Sequence, residues 1–117
     1  MHIQALKQLP EAEVHAVSCR TESRLKAICE KYKIPNWYTN VDDLMNDPEM
    51  DVIIVATGED THYSFTEKAI REGKHVLLEK PICLNVEDGK KLLELEQNTD
   101  LYILPGHILR YDASYNN

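Results

Sequence analysis

A lysine between a glutamate and a proline, Glu79-Lys80-Pro81, directly follows the short apolar run Val76-Leu77-Leu78. Such runs form buried parallel strands. Open α/β sheets build their ligand sites at the carboxyl ends of those strands. A lysine placed there can donate a hydrogen bond to a ligand oxygen or pass it a proton. Pro81 fixes its own φ and holds Lys80 in extended backbone, while Glu79 is expected to position the loop or cap the next turn. A second polar cluster, Thr57-Gly58-Glu59-Asp60-Thr61-His62, follows the apolar run Val52 to Ala56. A third, Ser18-Cys19-Arg20, follows Val14-His15-Ala16-Val17, with Thr21, Ser23 and Arg24 close by. The fourth is Gly106-His107 with Arg110-Tyr111. His2, His15 and His75 have no partner at metal-ligand spacing, so no metal site is expected.

These residues need elements to hold them. Ile3, Leu6 and Leu9 step by three up to Pro10, which predicts the tail of an amphipathic helix. Strands are predicted over 13–18, 37–39, 52–57, 75–79 and 101–105, ended in the last case by Pro105-Gly106. Helices are predicted from Thr21 or Glu22 to Lys33, over 41–45 behind Asn40, from Asp60 or Thr61 to Glu72, and over 86–97 behind Asn85. Gly73 suits the exit of the third of these. Strands alternating with helices pair most naturally in parallel, with right-handed crossovers.

Composition narrows the function. The chain has 117 residues, 43% of them hydrophobic, enough for one domain with a modest core. Its net charge of −7, without any basic block, argues against nucleic acid and anionic membranes as partners. No apolar run is long enough to span a bilayer. Cys19, Cys29 and Cys83 are scattered, without a Cys-x-x-Cys pair or a signal-peptide pattern, so a reducing, cytoplasmic setting is expected.

Gly73-Lys74-His75-Val76 before Glu79-Lys80-Pro81, together with the Thr57 to His62 segment, resembles the nucleotide-binding domain of the glucose-fructose oxidoreductase / inositol dehydrogenase family. The resemblance runs from the first residue to about residue 115. It implies an α/β fold with a Rossmann-like parallel sheet and flanking helices, NAD or NADP as cofactor, and hydride transfer at a hydroxyl or carbonyl carbon of a sugar- or cyclitol-like substrate. Lys80 would then be the catalytic residue beside the nicotinamide, in a site that includes Glu79 and Pro81. The resemblance also suggests a cis Lys80–Pro81 bond. Thr57 and Glu59 would line the cofactor, with Gly58 replacing the family's proline and leaving the loop less rigid. His62 would contact the cofactor or bond a neighbouring loop. Ser18 and Arg20 would meet the adenosine end. Cys19 stands where an acidic residue would bind the ribose hydroxyls of NAD, and Arg20 follows it, so NADP is favoured over NAD. Arg110 falls in a match to the family's Gly-His-x-x-Arg-Phe segment, with Tyr111 in place of phenylalanine. It would touch cofactor or substrate, or tie two domains together.

The four glycines, Gly58, Gly73, Gly89 and Gly106, form no Gly-x-Gly-x-x-Gly fingerprint. Residues 1–117 are therefore expected to be an incomplete domain. It would lack the first strand, its glycine-rich loop, and the second domain that supplies the family's catalytic histidine. Alone it is expected to catalyse nothing. Two alternatives stay open: one chain of a split oxidoreductase, or a non-catalytic nucleotide-binding or regulatory module. The expected partners are a small-molecule substrate and either a second copy or a complementing chain.

Overall fold

The alternation read from the sequence becomes an alternation of parallel strands and helices in the computed structural model, which describes residues 2–106. His107, Arg110 and Tyr111 lie outside the described residues. The chain divides into two units, residues 1–50 and 51–117.

In the first unit, α1 (His2–Lys7) precedes β1 (Ala16–Ser18), α2 (Glu22–Tyr32), β2 (Asn36–Tyr38) and α3 (Val41–Met45). Strands β1 and β2 pair in parallel, with Ala16 opposite Asn36 and Ser18 opposite Tyr38. The apolar face of α2 presents Leu25, which is buried. That helix ends at Lys33, whose φ of 56° is left-handed, and the Ile34 N–H closes the turn on the Cys29 carbonyl. The Asn40 side chain caps α3 by accepting from the Asp42 N–H at 2.9 Å. Strand β1 is shorter than the predicted 13–18. Its ladder with β2 holds three residue pairs, and His15, just before it, is engaged by its side chain instead.

His15 belongs to a polar knot around Asp47. The Asp47 carboxylate lies 2.9 Å from His15 Nε2, accepts from the Tyr38 hydroxyl at 2.8 Å, and accepts from the Glu49 N–H at 3.0 Å. Asn36 donates to the His15 carbonyl at 3.1 Å. The Glu49 N–H, then the Tyr38 hydroxyl, hold the Asp47 carboxyl below its usual range, and the same bond raises the Tyr38 phenol. A carboxylate depressed in the folded state adds stability above its unfolded pKa, and that contribution is lost as pH falls through the folded value. Asp47→Asn is accordingly expected to destabilise the first unit at about neutral pH, with the difference from the parent closing as the pH falls through the folded pKa of Asp47, below the usual carboxylate range. Urea denaturation across an acid pH series checks this.

In the second unit, β3 (Val52–Val55), a short 3₁₀ turn (Glu59–Thr61), α4 (His62–Arg71), β4 (His75–Glu79), α5 (Val86–Gln97) and β5 (Ile103–Gly106) follow in order. The three strands form a parallel sheet, β3-β4-β5, with β4 in the middle. Ile53 is level with Val76, and Val55 with Leu78; all four are buried on one face of the sheet. Thr66, Ala69 and Ile70 of α4 and Leu92 of α5 are buried as well. Period-two burial in β3 and β4 and the buried stripe on α4 are what a sheet packed against helices requires.

The helix ends follow their sequence signals. Gly73 takes φ 81°, its N–H bonds the Ile70 carbonyl at 3.0 Å, and the Lys74 N–H bonds Ala69 at 2.9 Å. This paired closure needs the left-handed residue that glycine supplies. Asn85 caps α5 by accepting from the Asp88 N–H at 2.8 Å. The start of α4 differs from expectation. Gly58 leads into the 3₁₀ turn, and the Thr61 side chain makes no capping bond to a helix N–H. Its hydroxyl is taken up by the preceding loop. No helix among the described residues is long and apolar enough to cross a membrane.

Candidate functional site

Parallel pairing brings two of the polar clusters to one edge. Val55 of β3 is level with Leu78 of β4, so Thr57 and Lys80 each stand two residues past a register pair, at the carboxyl end of adjacent strands. Glu79 is the last residue of β4 and half-buried. Lys80 and Pro81 are exposed, and the Lys80–Pro81 peptide bond is cis. Glycine at position 106 leaves room here. A methyl group on it would lie 3.6 Å from the Leu78 carbonyl oxygen and 3.7 Å from the Glu79 carboxylate. Among the described residues, no carboxylate pairs with the Lys80 ammonium.

The Thr57 loop is tied by hydroxyls. Thr61 Oγ1 donates to the Gly58 carbonyl at 2.7 Å, which uses its one proton. Thr57 Oγ1, 2.6 Å from Thr61 Oγ1, must therefore donate to it. The Thr57 hydroxyl is left with acceptor lone pairs only, and a ligand meeting it must bring a donor. Gly58 has φ −62°, the value a proline ring imposes. A proline could follow the same backbone course at this position. Glu59, first in the 3₁₀ turn, is exposed. His62 is buried, with both ring nitrogens against main-chain carbonyls.

At the carboxyl end of β1, in the other unit, Ser18 Oγ is buried and finds no hydrogen-bond partner. Cys19 Sγ contacts the Thr21 carbonyl at 3.4 Å. Arg20 is exposed and, among the described residues, has no carboxylate partner. An orphaned hydroxyl and an uncompensated guanidinium at a strand's carboxyl end suit a polar, anionic ligand. In the second unit, taken by itself, the carboxyl edge of the sheet offers an ammonium at Lys80 and a hydroxyl acceptor at Thr57. Thr61 as the partner that orients Thr57 was missed in the sequence, where a threonine four residues on, across a turn, was the available signal. Nothing in the sequence marked Asp47, because that knot is assembled from His15 just before β1, Tyr38 of β2 and the residues just past α3.

Parallel strands with ligand-facing polar loops at their carboxyl ends define a nucleotide-binding α/β domain. Residues 1–107 match the family model of the NAD-binding Rossmann fold of the Gfo/Idh/MocA oxidoreductases, and the chain belongs to that family. It is 29% identical to a myo-inositol 2-dehydrogenase of Thermotoga maritima over 98% of its own length and 34% of the relative's. A crystal structure of a probable dehydrogenase from Thermotoga maritima superposes with a TM-score of 0.92 at 29% identity, over 98% of this chain and 34% of that one. A biliverdin reductase of Synechocystis, solved with biliverdin and NADP+, superposes with a TM-score of 0.85 at 25% identity, over 91% of this chain and 33% of that one. The chain spans about a third of the length of the relatives it matches.

Proposed function

We propose that this chain supplies the cofactor-facing half of an oxidoreductase that moves a hydride between NAD(P) and a hydroxyl or carbonyl carbon of a sugar- or cyclitol-like substrate. The observation that carries the reading is Lys80, exposed and without a carboxylate partner among the described residues, just past the carboxyl end of the middle strand and, like Thr57, two residues beyond the Val55–Leu78 pair. The bound nicotinamide supplies the hydride chemistry; the residues of this chain orient the reactants. Lys80 donates a hydrogen bond to the substrate oxygen and passes a proton to it or takes one from it. Thr57 accepts from a donor on the cofactor, with Glu59 beside it. Glu79 and Pro81 set the turn that carries Lys80. The cyclitol class is suggested by the myo-inositol 2-dehydrogenase relative.

At the adenosine end, Ser18 and Arg20 face the ribose. Cys19 has no carboxylate to offer the 2′- and 3′-hydroxyls, while Arg20 suits a 2′-phosphate, so NADP is the favoured cofactor. Relatives use either cofactor, NADP+ in the biliverdin reductase and NAD(+) in a scyllo-inositol 2-dehydrogenase of Bacillus subtilis, so the preference rests on Cys19 and Arg20. Calorimetric titration of both cofactors tests it. NADP should bind more tightly than NAD. Arg20→Ala should weaken NADP by about ten- to a hundredfold and leave NAD unchanged, the size expected for one charge-assisted phosphate contact. A preference for NAD, or NADP binding indifferent to Arg20→Ala, would contradict the assignment.

A further inference from the structure

His62 is 1% exposed, yet its ring is polar at two corners. Nδ1 lies 2.6 Å from the carbonyl oxygen of Pro81, 19 residues along the chain, and Nε2 lies 3.1 Å from that of Thr57. Carbonyl oxygens only accept, so the ring must donate. A neutral imidazole carries one N–H and serves one carbonyl; a doubly protonated ring serves both. The shorter contact places the N–H on Nδ1, toward Pro81. A direct cofactor ligand needs a free ring edge, and here both nitrogens are taken up inside the protein.

We infer that His62 is the positioning residue of the site: its Nδ1–H holds the Pro81 carbonyl, and with it the turn carrying Lys80, against the loop carrying Thr57. The inference rests on the reading of Lys80 as the ligand-facing lysine. The support behind the ring is firm, because His62 opens α4, whose Thr66, Ala69 and Ile70 are buried in the core. The pairing of β3 with β4 ends at Val55 and Leu78; β3 stops there, and β4 runs one residue further, to Glu79, before the turn that carries Lys80. The histidine extends the registration past the end of the ladder, to the residues that meet a ligand. Its hydrogen bond spans two loops that no backbone pair joins.

The test uses carbonyl ¹³C shifts of the labelled full chain, as wild type and as His62→Asn, His62→Gln and His62→Leu. The asparagine amide nitrogen falls near the place of Nδ1, that of glutamine near Nε2. The Pro81 carbonyl signal should move upfield in His62→Leu and His62→Gln and return toward wild type in His62→Asn. Dinucleotide affinity, titrated with NADPH, should fall about tenfold in His62→Leu and recover in His62→Asn. A Pro81 signal unmoved in His62→Leu would overturn the inference. So would a His62→Asn variant no nearer wild type than His62→Gln, in shift or in affinity. Should His62→Leu fail to fold, the asparagine–glutamine contrast decides alone. A wild type with the Pro81 signature but no NADPH binding would refute the cofactor reading, and the carbonyl shifts would still establish the positioning bond.

Discussion

Replacing Leu78 by alanine is expected to cost the protein about 3–4 kcal/mol, the range for a fully buried leucine whose cavity cannot collapse. Leu78 is 0% exposed, in the middle strand of the second unit's sheet, level with Val55 on one side and Pro105 on the other. Both neighbouring strands hold the backbone in place, so the cavity has little freedom to close. A domain of this size has only about 5–15 kcal/mol in hand, so the loss should lower the melting temperature by more than ten degrees, at about 4–8 °C per kcal/mol. Leu104→Ala is the control. That side chain is 53% exposed on β5, and its removal should cost far less. Urea denaturation of the two variants beside wild type measures both. Equal costs would mean that the buried face of the sheet is not the one described.

Lys80→Met is expected to lower hydride transfer by about a hundredfold to ten-thousandfold, the usual loss when a group that exchanges a proton with the reacting oxygen is removed. Methionine keeps most of the stem's volume and removes the charge. Because Lys80 is exposed and lies beyond β4, stability should hardly change. Dinucleotide affinity should move little as well, since the lysine's partner in the proposed reaction is the substrate oxygen. The measurement is nicotinamide reduction with a polyol by a chimera in which this chain replaces the matching third of an inositol dehydrogenase. Turnover equal to the unmutated chimera's would remove Lys80 from the chemistry.

The sequence made some parts of this molecule easy to read. Asn40 and Asn85 announce helices because a short acceptor side chain before a helical face has one good use, and both cap as expected. Gly73 announces an exit because few other residues tolerate its φ. The edge shared by Thr57 and Lys80 follows once the strands are taken as parallel, since parallel strands end together. Other features were illegible because they depend on distant partners. The length of β1 is decided by how far β2 runs beside it, not by the apolar run from Val14 to Val17. The 3₁₀ entry to α4 replaces a simple cap because the Thr61 hydroxyl bonds back to Gly58. His62 reads from sequence as a helix-start histidine with two equal uses; only the fold reveals that its Nδ1 meets a carbonyl 19 residues away.

If the Thr57 loop and the Lys80 turn form one dinucleotide-facing edge, NADPH titrated into the ¹⁵N-labelled chain should produce one saturating set of amide shift changes, concentrated at Thr57 to His62 and at Glu79 to Ile82 without the amide-less Pro81. Changes confined to other surfaces, such as the exposed side of α5, or no changes at millimolar cofactor, would contradict it.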